Sequence, residues 1–220
     1  MKVLAVDTTT ERESVALVAE GAVLGEVRLR IVDSHSVRLL PAVEFLLSSV
    51  GLAPRDVEGY AVTTGPGSFT GLRVGLSTVQ GLALASGRPC LGVSSLDVLA
   101  ARIRGAAPTL VAWVDAYRDQ VYGRVYDAEG RPLAPPAAAR PDEALGGLPA
   151  GAAFIGDGAA RYRDVIVKAL PDAVFPVRSL FLAGALGLLA EPRLEAGEGV
   201  APQALRPLYM RDADVRRSGS

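Results

Sequence analysis

The chain has 220 residues, half of them hydrophobic but only 5% aromatic, so its apolar bulk is Ala, Val and Leu. That length supplies one large domain or two small lobes with a core of useful size. Lys and Arg number 23 against 24 Asp and Glu, a balance that leaves no basic excess with which to grip nucleic acid unaided.

Residues 2–6 form a short apolar strand, and 14–19 with 22–30 read as a hairpin about Glu20-Gly21. Asp33-Ser34 then offers N-cap chemistry before a helical segment that reaches Val50 and is ended by Gly51. Pro41 inside it means either a kink or a helix that starts there. Leu39, Val43, Leu46 and Val50 make one stripe, flanked by Leu40 and Leu47. Val37 and Phe45 fall outside that arc, on a face that carries Arg38, Glu44 and Ser48. An amphipathic surface helix does not need a phenylalanine on its polar side.

After a strand at 57–62 comes the run Thr64-Gly-Pro-Gly-Ser-Phe-Thr-Gly-Leu-Arg-Val-Gly-Leu76, leading into a helix over 71–86. Gly65, Gly67 and Gly71 let backbone approach backbone, Pro66 stiffens the loop, and Ser68 or Thr70 suits a helix cap. Strand, glycine loop and helix is the layout of an anion-binding turn. The spacing nevertheless matches neither a P-loop nor the dinucleotide fingerprint, so a tight turn packing helix onto sheet is the other reading. Leu72, Leu76, Val79 and Ala83 make the core stripe of this helix, and Gly71, Gly75, Ser77, Thr78, Gly81 and Ala85 a small-residue face. Arg73 and Gln80 are its only large polar residues. A small face admits a second helix closely, from this chain or from a partner. Residues 89–93 form a strand that buries Cys90, the only cysteine, as an inert thiol; 94–104 form another helix.

A second unit echoes the first. Residues 109–114 end in Asp115 as 3–6 end in Asp7, and Glu129-Gly130 repeats Glu20-Gly21. The echo indicates two lobes, 1–105 and 106–220, descended from one strand–strand–strand–helix unit. Residues 131–150, rich in Pro, Ala and Gly, read as a loop-rich insert. A strand at 152–155 and helices at 159–170 and 179–190 follow, and then a C-terminal tail. The last apolar stretch stops at Glu191-Pro192, short of the roughly 18 residues of a spanning helix. One cysteine, no disulfide and a start too short for a signal peptide point to a soluble, cytoplasmic chain.

The chain has one histidine, His35, and metal sites need three or four clustered ligands, so we expect a hydrogen-bonding or capping residue there and no metal. No Gly-x-Ser-x-Gly elbow occurs, which weakens a hydrolase reading, and no catalytic residue is assigned.

The run Gly65-Pro-Gly-Ser-Phe-Thr-Gly-Leu-Arg-Val-Gly75 resembles the signature of the TsaB family of tRNA threonylcarbamoyladenosine synthesis. Val6-Asp7-Thr8-Thr9, His35-Ser36 with Leu39-Leu40-Pro41, Val114-Asp115-Ala116 with Val121-Tyr122, and Pro207-Leu208-Tyr209 with Arg211 agree in order. The likeness covers nearly the whole chain, strongest in the first hundred residues. It implies an α/β fold of two ribonuclease-H-like lobes of the actin/hexokinase/Hsp70 superfamily, a duplicated βββαβα; the residues alone reach α/β with two lobes.

In that superfamily the turn at Asp7-Thr8-Thr9-Thr10 meets nucleotide phosphate, with the Asp near Mg²⁺. The matching turn Asp115-Ala116-Tyr117-Arg118 is bulky, and Ile155-Gly156-Asp157-Gly158 is a reduced adenine loop. The resemblance thus implies a vestigial nucleotide site of Asp7, Thr8, Thr9, Gly65 and Gly67, with ATP or ADP bound mainly by partners. It also implies a non-catalytic subunit that binds TsaD, with TsaE, for threonylcarbamoyl transfer to the adenosine beside the tRNA anticodon. TsaD carries a metal-holding histidine pair that this chain lacks. A homodimer is implied where TsaD is absent, tRNA being touched only indirectly and membrane not at all. The expected partner surface is Val37, Arg38, Pro41 and Phe45 with Arg73, Gly75, Ser77, Gln80 and Gly81. The alternative is an active ATP-dependent kinase or ATPase of the same fold.

Overall fold

The computed structural model describes residues 1–31 and 35–210, and of His35 the backbone alone. The Asp33-Ser34 cap, the role expected of the His35 side chain, and Arg211 lie outside the described residues.

The first lobe runs β1 (Val3–Asp7), β2 (Arg12–Ala19), β3 (Ala22–Arg30), α1 (His35–Ser49), β4 (Gly59–Thr63), α2 (Phe69–Ser86), β5 (Cys90–Val93) and α3 (Ser95–Ala101). The second runs β6 (Thr109–Asp115), β7 (Val121–Asp127), β8 (Ala137–Ala139), α4 (Pro141–Ala144), β9 (Ala153–Ile155), α5 (Asp157–Arg161) and α6 (Arg163–Ala169), and α7 (Ala183–Glu195) closes the series. One sheet has the order β3-β2-β1-β4-β5 and the other β8-β7-β6-β9. In each, the central strand pairs antiparallel with the next in sequence and parallel with the strand after the helix. The short echo between Asp7 and Asp115 is therefore a repeat of topology, with β5 added in the first lobe.

Apart from its exposed edge strand β3, the first sheet is buried on both faces, as its near-continuous apolar strands require. Leu4, Val6, Val15 and Leu17 point to α1 and α2, while Val3, Ala5 and Ala16 point to α3 and α7. The second of these cores continues into Leu110, Ala112 and Val114 of β6, so it also joins the lobes. Trp113, Phe154 and Ile166 fill a third core on the far side of the second sheet.

Most local signals act as expected. Glu20 (φ 54°) and Gly21 (φ 71°) take the left-handed conformations of a tight hairpin turn. Gly51, at φ 71°, follows α1, and Ser68 caps α2 by accepting the Gly71 N–H at 3.3 Å. The helix α1 runs through Pro41 rather than starting at it.

Four expectations need correction. Residues 131–150 are not all loop: β8 there supplies the third strand of the second sheet, and α4 its helix. The helix expected over 159–170 is two, with Tyr162 between α5 and α6. The last helix starts later than residue 179 and continues through Pro192 to Glu195. It also does not belong with the second lobe, because α7 packs across β1, β2 and β4. Its Glu191, 3% exposed, accepts the N–H groups of Glu20 (2.6 Å) and Gly21 (2.8 Å), so the carboxylate fastens the β2–β3 turn.

Candidate functional site

The ends of β1, β4 and β6 and the start of α5 converge on one cleft between the lobes. A cavity of about 660 Å³ lies there, lined by Thr9, Thr10, Gly67, Asp115, Asp157 and Arg161 among others. It adjoins another of about 490 Å³ walled by Phe69, Tyr117, Tyr122 and Tyr209, and Gly67, Ser68, Asp115 and Tyr117 border both.

Asp7 ends β1 at the bottom of this region and is fully buried. Its Oδ1 accepts the Thr9 N–H (3.2 Å), the Thr9 hydroxyl (2.7 Å) and the Thr63 hydroxyl (2.6 Å). The Thr8 hydroxyl donates to the Gly71 carbonyl at 2.7 Å. The Ser68 N–H donates to the Thr9 carbonyl at 2.7 Å, and a Cβ on Gly67 would collide with that same oxygen. Ser95, at the start of α3, ties down the other side of the loop: its N–H reaches Gly65 O at 2.8 Å and its hydroxyl Pro66 O at 2.6 Å. The glycine run is therefore a tight turn sealed onto residues 8–10, the second of the two readings its residues allow. Gly65 and Gly67 sit beside the Asp7 turn as expected, but as its lid.

The second lobe closes its half similarly. Tyr117, Arg118 and Asp119 take φ of 57°, 51° and 57°, a strained left-handed run for residues with side chains. The Tyr117 N–H donates to Asp115 Oδ1 (3.1 Å), and Arg161 pairs with Asp115 Oδ2 (3.2 Å). Gly156 lies against the Trp113 carbonyl and Gly158 against Val114 too closely for any side chain. Asp157 Oδ1 accepts the N–H groups of Asp115 (3.1 Å) and Gly158 (2.9 Å), and burial raises the pKa of this carboxyl above the usual range. The residues present do not fit the magnesium–nucleotide that the superfamily fold implies, because Asp7 is fully buried with its Oδ1 taken by two hydroxyls and both glycine loops are packed on their own lobes. Among the described residues no three His, Cys, Asp or Glu are grouped to hold a metal ion.

Most of the residues expected at a partner surface on α1 and α2 are exposed. The two helices lie side by side over the first sheet. Val37 (70% exposed), Phe45 (64%), Arg38 and Pro41 of α1 face outward, as do Arg73, Ser77 and Gly81 of α2. Two assignments fail. Gly75 is buried, and a Cβ there would strike the Thr8 hydroxyl. Gln80 is half-buried and donates to the carbonyls of Pro202 (3.0 Å) and Leu205 (3.4 Å), so its amide is taken up by this chain. Leu84, 63% exposed, and Leu40, 48% exposed and not in the core beside Leu39, extend the apolar part of the face instead.

Sequence reasoning missed Thr63, Ser95 and Arg161. The doublets Thr63-Thr64 at a strand end and Ser94-Ser95 at a helix start were the available signals, but their partners lie far away in the chain. At the rim, the Arg73 guanidinium lies 3.9 Å over the Phe69 ring, which meets Tyr209 at 5.5 Å.

Comparison with known proteins locates the chain. The family model described as TsaD, tRNA N6-adenosine threonylcarbamoyltransferase, matches residues 29–215. The tRNA threonylcarbamoyladenosine biosynthesis protein TsaB of Bacillus subtilis is 39% identical over 126 residues, 57% of this chain and 55% of that protein. The match thus spans about half the length of that curated relative. The structure of YeaZ from Pseudomonas aeruginosa superposes with a TM-score of 0.81 at 35% identity, covering 94% of this chain and 99% of that one. The ROK hexokinase of Thermus thermophilus superposes at 0.52 with 14% identity, covering 87% and 100%, a likeness of fold alone.

Proposed function

Because the chain belongs to the TsaD family and is similar to TsaB and YeaZ, we propose that it serves tRNA threonylcarbamoyladenosine biosynthesis as a non-catalytic subunit. In this reading it binds and activates TsaD, with TsaE, for transfer of the threonylcarbamoyl group to the adenosine beside the anticodon. The outward face of α1 and α2 carries the proposal. Val37, Phe45 and Leu84 are each more than 60% exposed on two adjacent helices, an apolar surface of the kind that marks association. A partner of the same fold presents equivalent helices, so a homodimer forms through this face when TsaD is absent.

Two observations support the lack of catalysis. Asp7 is buried under Thr9 and Thr63 rather than presented to a metal-bound phosphate, and the glycine loop covers it. ATP or ADP then belongs to the partners, and a net charge of −1 leaves tRNA to them as well. No helix of the described residues is long and apolar enough to cross a membrane, and the proposed setting is the cytoplasm.

Light scattering of the chain mixed with TsaD from the same organism tests the proposal. The expected result is a complex formed by the parent and lost with Phe45→Asp, the variant still melting cooperatively. An unchanged complex, or ATP turnover by the chain alone that Asp7→Ala removes, overturns it.

A further inference from the structure

A separate cavity of about 460 Å³ opens where β3, the segment after α3 and the start of α7 meet, and it shares no residue with the interlobe cleft. Arg28, Arg102, Arg104 and Arg178 line it, with Glu26 as the one carboxylate among its lining residues. Glu26 is already engaged: its Oε2 holds Arg28 at 2.6 Å and its Oε1 accepts the Gly184 N–H at 3.3 Å, in the first turn of α7. None of the other three arginines forms an ion pair with a described residue. Arg178 reaches only carbonyls, those of Arg102 (3.3 Å) and Val177 (3.1 Å).

Arg102 is the informative member. Its Nε is buried with no hydrogen-bond partner among the described residues. Burial pulls its pKa below the usual guanidinium range, and the charges of Arg28 and Arg178 act in the same direction against the pull of Glu26. Its Nε thus lacks the hydrogen bond that a buried donor ordinarily finds, and Glu26, the one carboxylate of the lining, is already shared with Arg28 and Gly184.

We propose that this cavity binds a small molecule bearing a terminal phosphate, held by Arg102, Arg104 and Arg178 of its lining. A carboxylate offers two oxygens and one charge, enough for a single guanidinium fork. A terminal phosphate offers three oxygens and close to two charges, enough for several. The volume is that of a small-molecule site, and Leu188 and Leu189 give it an apolar wall for a ligand body. A phosphodiester within an RNA strand carries one charge and would have to thread a chain through a concave site.

Calorimetric titration of the full chain with inorganic pyrophosphate and with ADP, at matched ionic strength, tests this. The expected result is saturable binding of at least one probe, weakened about tenfold or more by Arg102→Met and by Arg178→Met. Arg161→Met, in the interlobe cleft, leaves it unchanged. Binding of both probes assigns the site to phosphate itself, and binding of ADP alone assigns it to a nucleotide. Arg102→Met alone melts no lower than the parent, since it removes a half-buried charge whose Nε has no partner among the described residues; should it unfold, the exposed Arg178 decides. No binding at millimolar probe, binding lost with Arg161→Met but not with Arg178→Met, or binding of tRNA alone overturns the proposal.

Discussion

The Thr8 hydroxyl and the Gly71 carbonyl, 63 residues apart in sequence, are joined by a 2.7 Å hydrogen bond that pins the first turn of α2 to the end of β1. The contact is possible because Gly75, one turn further on, has no side chain to meet Thr8. The helix therefore rests directly on the turn that follows Asp7.

Replacing Gly75 should destabilise the fold rather than merely block a partner. Gly75→Leu forces a side chain into Thr8 and is expected to cost about 1–3 kcal/mol or more. Gly75→Ala combined with Thr8→Ala should cost less than the sum of the single changes, because the obstacle goes with the hydroxyl. Denaturant melts of the four proteins give the coupling, and strict additivity would count against the contact.

Phe45 and Gln80, both expected at the partner surface, should behave differently. Phe45→Ala is expected to leave the melting temperature within a degree or two while weakening association by roughly 1 kcal/mol or more, as an interface anchor does. Gln80→Ala removes two hydrogen bonds to the segment under Leu205, so stability falls by about 1 kcal/mol and association changes little. Melting curves and sedimentation on the same samples separate the two effects.

Asp157 gives a signed pH dependence. Burial raises its folded pKa, so its contribution to stability is present in full below the unfolded aspartate value and is lost as pH rises through the folded one. Asp157→Asn keeps an oxygen for the Asp115 and Gly158 N–H groups and removes the charge. The variant should be more stable than the parent at neutral pH, with the difference vanishing in acid. A gap that widens on acidification would refute this account.

Cys90 is fully buried, and burial pushes its thiol pKa up. Its Sγ lies 3.4 Å from the Val200 carbonyl. Reaction with a thiol-specific dye should be very slow in native buffer and complete within minutes in denaturant. Rapid native labelling would place the strand β5 at an opened edge.

Much of the first lobe was legible because most elements there carry two agreeing signals, an apolar period and a glycine or serine at one end. The β8 strand carried neither: three alanines have no side-chain preference for a pleated sheet, and pairing with β7 alone makes them a strand. Gly75 and Gln80 were placed on the wrong side because the small residues of α2 wrap around it, and only the position of Thr8 decides which ones face inward. Glu191 looked like a polar stop to an apolar helix, although its partners, Glu20 and Gly21, make it part of the interior. The Asp7 turn was found with its own Thr9 hydroxyl, but the second hydroxyl on its carboxylate comes from Thr63, whose spacing carries no motif.

The position of α7 has a consequence for biosynthesis. Val3, Ala5 and Ala16 are synthesised well before the helix that covers them, which lies beyond the whole second lobe. At roughly 5–20 residues per second, this face stays unsheltered for about 10–30 seconds of translation. The first lobe is begun first and finished last, so a nascent chain halted before residue 183 presents an open apolar sheet to chaperones and proteases.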